Sequence, residues 1–170
     1  TLYGGTYGKL ELSMLGARDV LAKGYRFRDL LYADAGDKIL NNVTVIPCDH
    51  ANVSNNICNG CGMEIFLSAE NNGETKLFGT FEDAIRYAEA NTGCTVKLLQ
   101  DLTLDAATAG SLKDWYRIYL EKGRYILDLA GKTLDIINGN QVVVREDCDL
   151  TIGDSAGGGK VISSSGGGDV

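Results

Sequence analysis

The sequence predicts a mainly β chain whose C-terminal part is a parallel β-helix segment, and three observations predict it. From about residue 116 the chain divides into short runs that alternate apolar and polar residues, at 116–123, 124–131, 132–139, 141–148, 149–153 and 160–163. Each reads as a strand of a few residues followed by a turn. Setting every third run beside its counterpart places residues 126–134 against 150–153 and then 159–162, a repeat of about 24 to 28 residues with three strands per coil. Gly occurs 22 times and Pro once, at Pro47, so the turns rely on positive backbone dihedrals rather than on rigid kinks. A coil of this kind buries its face only by stacking on the next coil, and its open ends need covering.

The elements follow in order. Residues 1–47 read as a small α/β connector. It has a strand at Leu2 and Tyr3, a strand over residues 9–12, a short helix over 17–23 ended by Gly24, and an extended run over 25–31. Residues 34–37 form a turn joining 30–32 to Ile39 and Leu40, and residues 43–46 make another strand.

Residues 48–65 hold the sharpest chemical signal. Cys48, His50, Cys58 and Cys61 have the spacing of four tetrahedral ligands: soft thiolates, one imidazole, and Gly60 and Gly62 around the closing Cys to let the backbone fold toward sulfur. Structural zinc is the expectation. Four filled positions leave none for a reacting water, and the alternative is a disulfide between two of these cysteines with His50 idle. His50 is the chain's one histidine, so as a ligand it leaves no imidazole for a nucleophilic triad or a Cys/His pair.

Residues 66–170 read as the helix-capped β-helix segment. Thr80 is an N-cap with Asp83 in the reciprocal position, Gly93 ends the helix, and Phe81, Ala84, Ile85 and Ala88 form one apolar stripe. Such a stripe suits either an ordinary core helix or the cap of the coil whose first strand is residues 96–99. Cys94 and Cys148 lie in strand-like runs, as buried free thiols or as a disulfide pair. Asp128 alternates with Leu127 and Leu129 and is expected to point into solvent. Trp115, Tyr116, Arg117 and Tyr119 lie in the richest aromatic and cationic region and are the candidate partner contacts, while Tyr125 is expected in the core.

Charge narrows the function classes. With 23 acidic against 16 basic residues the formal net charge is −7, which opposes the clustered Lys and Arg that phosphate backbones require, so nucleic acid is not the expected partner. No signal peptide, membrane span or lipidation motif is visible, and the opening on Thr1 reads as a piece of a longer chain. The carboxylates Asp101, Asp105, Asp135, Asp147, Asp149 and Asp154 include no tight acid/base cluster, and several sit at turns that favour Asp. Residues 157–160 lack the Gly at 154 and the Ser or Thr at 161 that a phosphate loop requires, so they read as a coil corner.

Several stretches resemble the repeat-built surface proteins of gut bacteria, whose right-handed parallel β-helix has the pectate-lyase-like fold. They are residues 80–84, 96–101, 127–134, 150–154 and the opening Thr1-Leu2-Tyr3-Gly4-Gly5-Thr6. The resemblance covers most of residues 75–170 and, more loosely, the first 47. It also includes Cys-x-His and Cys-x-x-Cys knuckles of the kind at Cys48, His50, Cys58 and Cys61, whereas Cys94, Cys148 and the longer segment 106–121 depart from it. It implies an extracellular module at the bacterial cell surface that is non-catalytic and binds host glycoprotein, glycan or immunoglobulin, without entering a membrane. The alternative it implies is a segment of a polysaccharide lyase or glycosidase, since one fold hosts many activities.

Overall fold

The computed structural model describes residues 1–11, 20–22, 24–30, 39–105, 109, 112–114, 117–137 and 141–163. The chain divides into two compact units, Thr1–Ile65 and Phe66–Val170.

The first unit is built on an antiparallel sheet. Strands β1 (Gly5–Glu11) and β2 (Tyr25–Phe27) flank β3 (Ile39–Pro47), with Gly5 opposite Val45 and Phe27 opposite Val45 on the other side. Val45 and Phe27 are fully buried together with Leu21, so three large side chains hold the described core of the sheet. Leu2 bridges Leu21, and its amide donates to the Val20 carbonyl. The helix expected over 17–23 lies mostly outside the described residues, and Leu21 itself belongs to that bridge. The expected turn at 34–37 lies outside them too. A small hairpin of β4 (Val53–Ser54) and β5 (Ile57–Cys58) follows, turning on Asn55 and Asn56, both at positive φ (51° and 61°). Asn tolerates this region better than most residues, and a two-residue turn of this hand matches the twist of the strands it joins.

The second unit opens on a hairpin, β6 (Leu67–Asn71) and β7 (Glu74–Phe78), turning on Asn72 and Gly73 at φ 51° and 80°. Helix α1 (Phe81–Ala90) follows. The Thr80 hydroxyl accepts from the Asp83 amide and donates to the Asp83 carboxylate, and Phe81, Ala84, Ile85 and Ala88 are buried as the stripe requires. Asn91 rather than Gly93 closes the helix: its amide donates to the Ala88 carbonyl and its side chain to that of Tyr87. Both bonds satisfy carbonyls that a helix end leaves open.

Strands β8 (Cys94–Leu98), β9 (Leu102–Leu104), β10 (Lys113–Asp114), β11 (Arg117–Asp128), β12 (Thr133–Ile136), β13 (Gln141–Gly153) and β14 (Lys160–Ile162) complete the unit. Two parallel ladders run through them. In one, β11 lies between β8 and β13, with Val96, Leu127 and Ile152 side by side. In the other, β12 lies between β9 and β14, aligning Leu102, Leu134 and Val161. Antiparallel pairs continue the first ladder, β6 on β8 and β10 on β11. The chain is therefore mainly β, as expected, but its sheets are mixed, and among the described residues of the second unit the parallel pairing lies in these two ladders.

Two expectations about this region are corrected. Turns were expected at Gly123 and at Cys148, yet β11 and β13 run through both positions. At Gly123 (φ 93°) an added Cβ would lie 3.4 Å from the Glu89 Cα, so the missing side chain admits the end of α1 rather than making a corner. The ladder shifts register beside it, between Leu120 and Lys122. At Cys148 nothing interrupts the ladder, and Gly123 pairs with it directly.

The second correction concerns Asp128, which is buried rather than solvated. One carboxylate oxygen accepts from the amides of Ala130 (3.0 Å) and Ser155 (2.8 Å), and the other from the Ser155 hydroxyl (2.6 Å). Strand alternation breaks at the strand end, where Leu127, Asp128 and Leu129 are all buried. Burial pushes this carboxyl up, but the three Ser155 and Ala130 hydrogen bonds, with Lys97 nearby, outweigh it and hold it below the usual carboxylate range. The neighbouring corners use the same device. Asp154 accepts from the Gly131 and Gly159 amides, and Asp101 from the Thr133 amide.

Candidate metal centre

Cys48, His50, Cys58 and Cys61 converge in the first unit, with all four ligand atoms within 4.8 Å of one another. Cys48 follows β3, and its amide is held by the Gly24 carbonyl (2.8 Å). His50 takes a positive φ of 53°, uncommon for a residue with a side chain, and its Nδ1 lies 3.5 Å from Cys61 Sγ. Cys58 is fully buried at the end of the hairpin. Its amide donates to the Met63 carbonyl, and its own carbonyl accepts from Gly62 (2.7 Å), whose φ of 70° turns the chain past Cys61. The hairpin is tied from outside by the Asn59 side-chain amide donating to that of Asn52 (2.9 Å).

Two of the ligand–ligand distances match those of a tetrahedral site, and the rest lie within 4.8 Å. Bonds of about 2.3 Å to sulfur and about 2.0 Å to nitrogen place neighbouring ligand atoms roughly 3.5 to 3.8 Å apart. Cys48 and Cys58 sulfurs stand 3.5 Å apart, and Cys61 and His50 are separated by the same distance. The five cysteines are unbridged, and three of them gather with His50 in one group. This group can hold a metal ion, and its donor set is compatible with zinc.

The protons of the cluster show why a cation suits it. The Cys61 thiol donates toward Cys48 and pulls the Cys48 thiol down to about 4, against the opposing effect of burial. The same bond, with burial and the charge of the neighbouring sulfurs, pushes Cys61 up. One thiolate is stabilised at its neighbour's expense, whereas a dication stabilises all of them at once.

Gly60 was expected to free the backbone here, whereas its contact with Arg26 was not legible. A Cβ on Gly60 would lie 2.9 Å from the Arg26 Cδ and 3.3 Å from Cys48 Sγ, so the glycine lets strand β2 and a ligand sulfur close over the knuckle. The Arg26 guanidinium donates to the Arg28 carbonyl (3.0 Å), while its Nε is buried without a partner.

Of the candidate partner contacts, Arg117 and Tyr119 are described, two residues apart on β11. Trp115 and Tyr116 lie outside the described residues. Arg117 is exposed at the start of β11. Tyr119 is half-buried, and the Arg145 guanidinium stacks 4.4 Å from its ring centre. Tyr125 is buried in the core as expected, its hydroxyl accepting from the Cys148 thiol (3.6 Å). Burial, then Cys148, pushes that phenol up, and burial alone raises the Cys94 thiol. No helix among the described residues is long and apolar enough to cross a membrane. Comparison of the chain with protein-family models, with curated proteins and with solved structures finds no match in any of the three.

Proposed function

We propose that this chain is a zinc-stapled display module: a non-catalytic segment of an extracellular bacterial surface protein whose rigid β face binds host glycoprotein, glycan or immunoglobulin. The single observation that carries the reading is the pair of in-register parallel ladders, β8–β11–β13 and β9–β12–β14. Successive strand pairs joined by short corners and stacked in chain order support a reading as a short parallel β-helix, right-handed by its resemblance, with α1 and the β6–β7 hairpin on its first rung. Such a scaffold suits presentation of a long face more than enclosure of a substrate.

Zinc is the metal of choice because three thiolates and one imidazole are soft and borderline donors in tetrahedral placement. Held by Cys48, His50, Cys58 and Cys61, it would fold a segment too short to build a core of its own. The corner carboxylates Asp101, Asp128 and Asp154 are engaged with backbone amides, which favours a scaffolding use over acid/base work.

The test is direct binding of the purified, zinc-loaded chain to immobilised mucin glycoprotein, to a glycan array and to immunoglobulin, compared with Trp115→Ala and Tyr119→Ala. Saturable binding to one class, weakened in either variant, is the expected result. Absence of binding to all three defeats the display reading. Metal analysis returning well under one zinc per chain defeats the staple independently.

A further inference from the structure

Arg26 brings a charged donor against the knuckle that the sheet of the first unit does not use up. It sits on β2, opposite Ile46 of β3. Its Nη1 donates to the Arg28 carbonyl (3.0 Å) and at longer range to that of Phe27 (3.4 Å), which anchors the guanidinium to the end of its own strand. Its Nε is shut off from water and has no hydrogen-bond partner. A buried N–H left unpaired is costly, so this one calls for an acceptor.

The acceptors at this place are ligand sulfurs. A Cβ on Gly60 would lie 2.9 Å from Arg26 Cδ, the atom that carries Nε, 3.3 Å from Cys48 Sγ and 3.6 Å from Cys58 Sγ. The open side of the glycine is therefore shared by the arginine stem and two thiols. The same residues line a small cavity with Asp49, Ala51 and Asn52, and Arg26 is the one cation among the described residues that line it. Asp49, the one carboxylate there, is exposed and accepts from the Ala51 amide (3.3 Å).

Charge gives the arrangement a use. Three thiolates and a neutral imidazole around a dication leave the loaded centre with an excess negative charge, in a place partly screened from water. We propose that Arg26 is a positioning residue of the metal centre: its Nε–H donates to the Cys48 and Cys58 thiolate pair, and its charge offsets the excess. A hydrogen bond to a ligand from outside the coordination sphere fixes that ligand's orientation, and a charged donor makes it a strong one. It also draws electron density from sulfur. This role rests on the zinc reading of the site and adds to it a residue from another strand.

Cobalt(II) loaded in place of zinc, with zinc affinity measured by competition against a chromophoric chelator, tests both parts in the parent, Arg26→Met and Arg26→Lys. Both variants keep a stem over Gly60. Met loses the charge and the donor, whereas Lys keeps the charge and has carbon where Nε stood. Arg26→Met is expected to bind zinc severalfold more weakly. Its thiolate-to-cobalt absorption is expected to move to longer wavelength, because a thiolate without the hydrogen bond gives up electron density more easily. Arg26→Lys is expected to regain most of the affinity while keeping the shifted band. A parent chain that takes up neither ion defeats the zinc reading and this role together. Where the parent binds both ions, two results overturn the role of Arg26 alone: Arg26→Met matching the parent in affinity and band position, or both variants equally weakened with an unshifted band.

Discussion

The two units of this chain solve the same problem, a scarcity of large apolar side chains per strand, by different means. In Phe66–Val170 the first two strands of each ladder stack buried on buried, Val96 on Leu127 and Leu102 on Leu134, and these residues with Leu98 and Leu104 form one core with the inner face of α1. In Thr1–Ile65 the described core is Leu21, Phe27 and Val45, and the stretch after β3 has no such core. There the buried side chains are Cys58, among three other ligand atoms, and Ile65. Stacked ladders distribute stability over many small contacts, whereas a ligand cluster concentrates it in one place. The two units should therefore respond to opposite perturbations.

Metal removal is the largest expected effect and the sharpest way to break the comparison. Structural zinc contributes apparent binding energy of about 10 kcal/mol or more in small knuckles, so chelation, or Cys58→Ser, is expected to abolish amide protection over residues 48–65. Hydrogen exchange with mass spectrometry reads this by segment. Unchanged protection in those residues after chelation would mean that the hairpin and the Asn52–Asn59 tie hold the segment without metal. Next in size is Leu127→Ala, which empties a position buried between Val96 and Ile152. Deleting a buried leucine costs about 3 kcal/mol, expected here as a lower denaturation midpoint followed through peptides of residues 94–136.

How much of this was legible in the sequence follows the same division. The four ligands were readable because metal chemistry restricts residue type and spacing together, and the fold brings those four together. Helix α1 was readable from Thr80, Asp83 and a 3.6-residue stripe. The β6–β7 hairpin carried an unused signal in the Asn72-Gly73 dipeptide, a strong local cue for a two-residue turn. Gly123 misled for a physical reason: a glycine that admits a neighbouring helix looks, in sequence, like a glycine that makes a turn. Arg26 and Gly60 had no readable link, because their juxtaposition depends on β2 lying over a knuckle more than twenty residues downstream. Asp128 was misread because alternation governs strand interiors and not strand ends, where a side chain can turn back to cap the following corner.

Between these extremes stands Gly60→Ala, which tests whether the sheet and the knuckle of the first unit are packed as one. Its Cβ meets the Arg26 Cδ at 2.9 Å and Cys48 Sγ at 3.3 Å. Strain of about 1 to 3 kcal/mol is expected, lowering zinc affinity roughly tenfold or more in a competition titration against a chromophoric chelator. The double variant Gly60→Ala with Arg26→Ala is expected to recover part of that loss. Equal affinity in Gly60→Ala and the parent would show that the ligands sit independently of β2.

The smallest effect sharpens the comparison from the other side, since it concerns a polar group in the unit that depends on apolar stacking. Asp128→Asn keeps the shape of the side chain but removes the charge that accepts from Ala130, Ser155 and the Ser155 hydroxyl. A loss of about 1 to 2 kcal/mol is expected at neutral pH. The pH dependence has a defined sign. Because the folded carboxyl lies below its usual value, its contribution is fully present above the unfolded pKa of about 3.9 and is lost as pH falls through the lower folded value. Parent and variant should therefore differ in stability near neutrality and converge in acid, below that range. A difference that persists unchanged into acid would assign the effect to packing at the corner and not to the carboxylate, leaving apolar stacking as the sole support of the ladders.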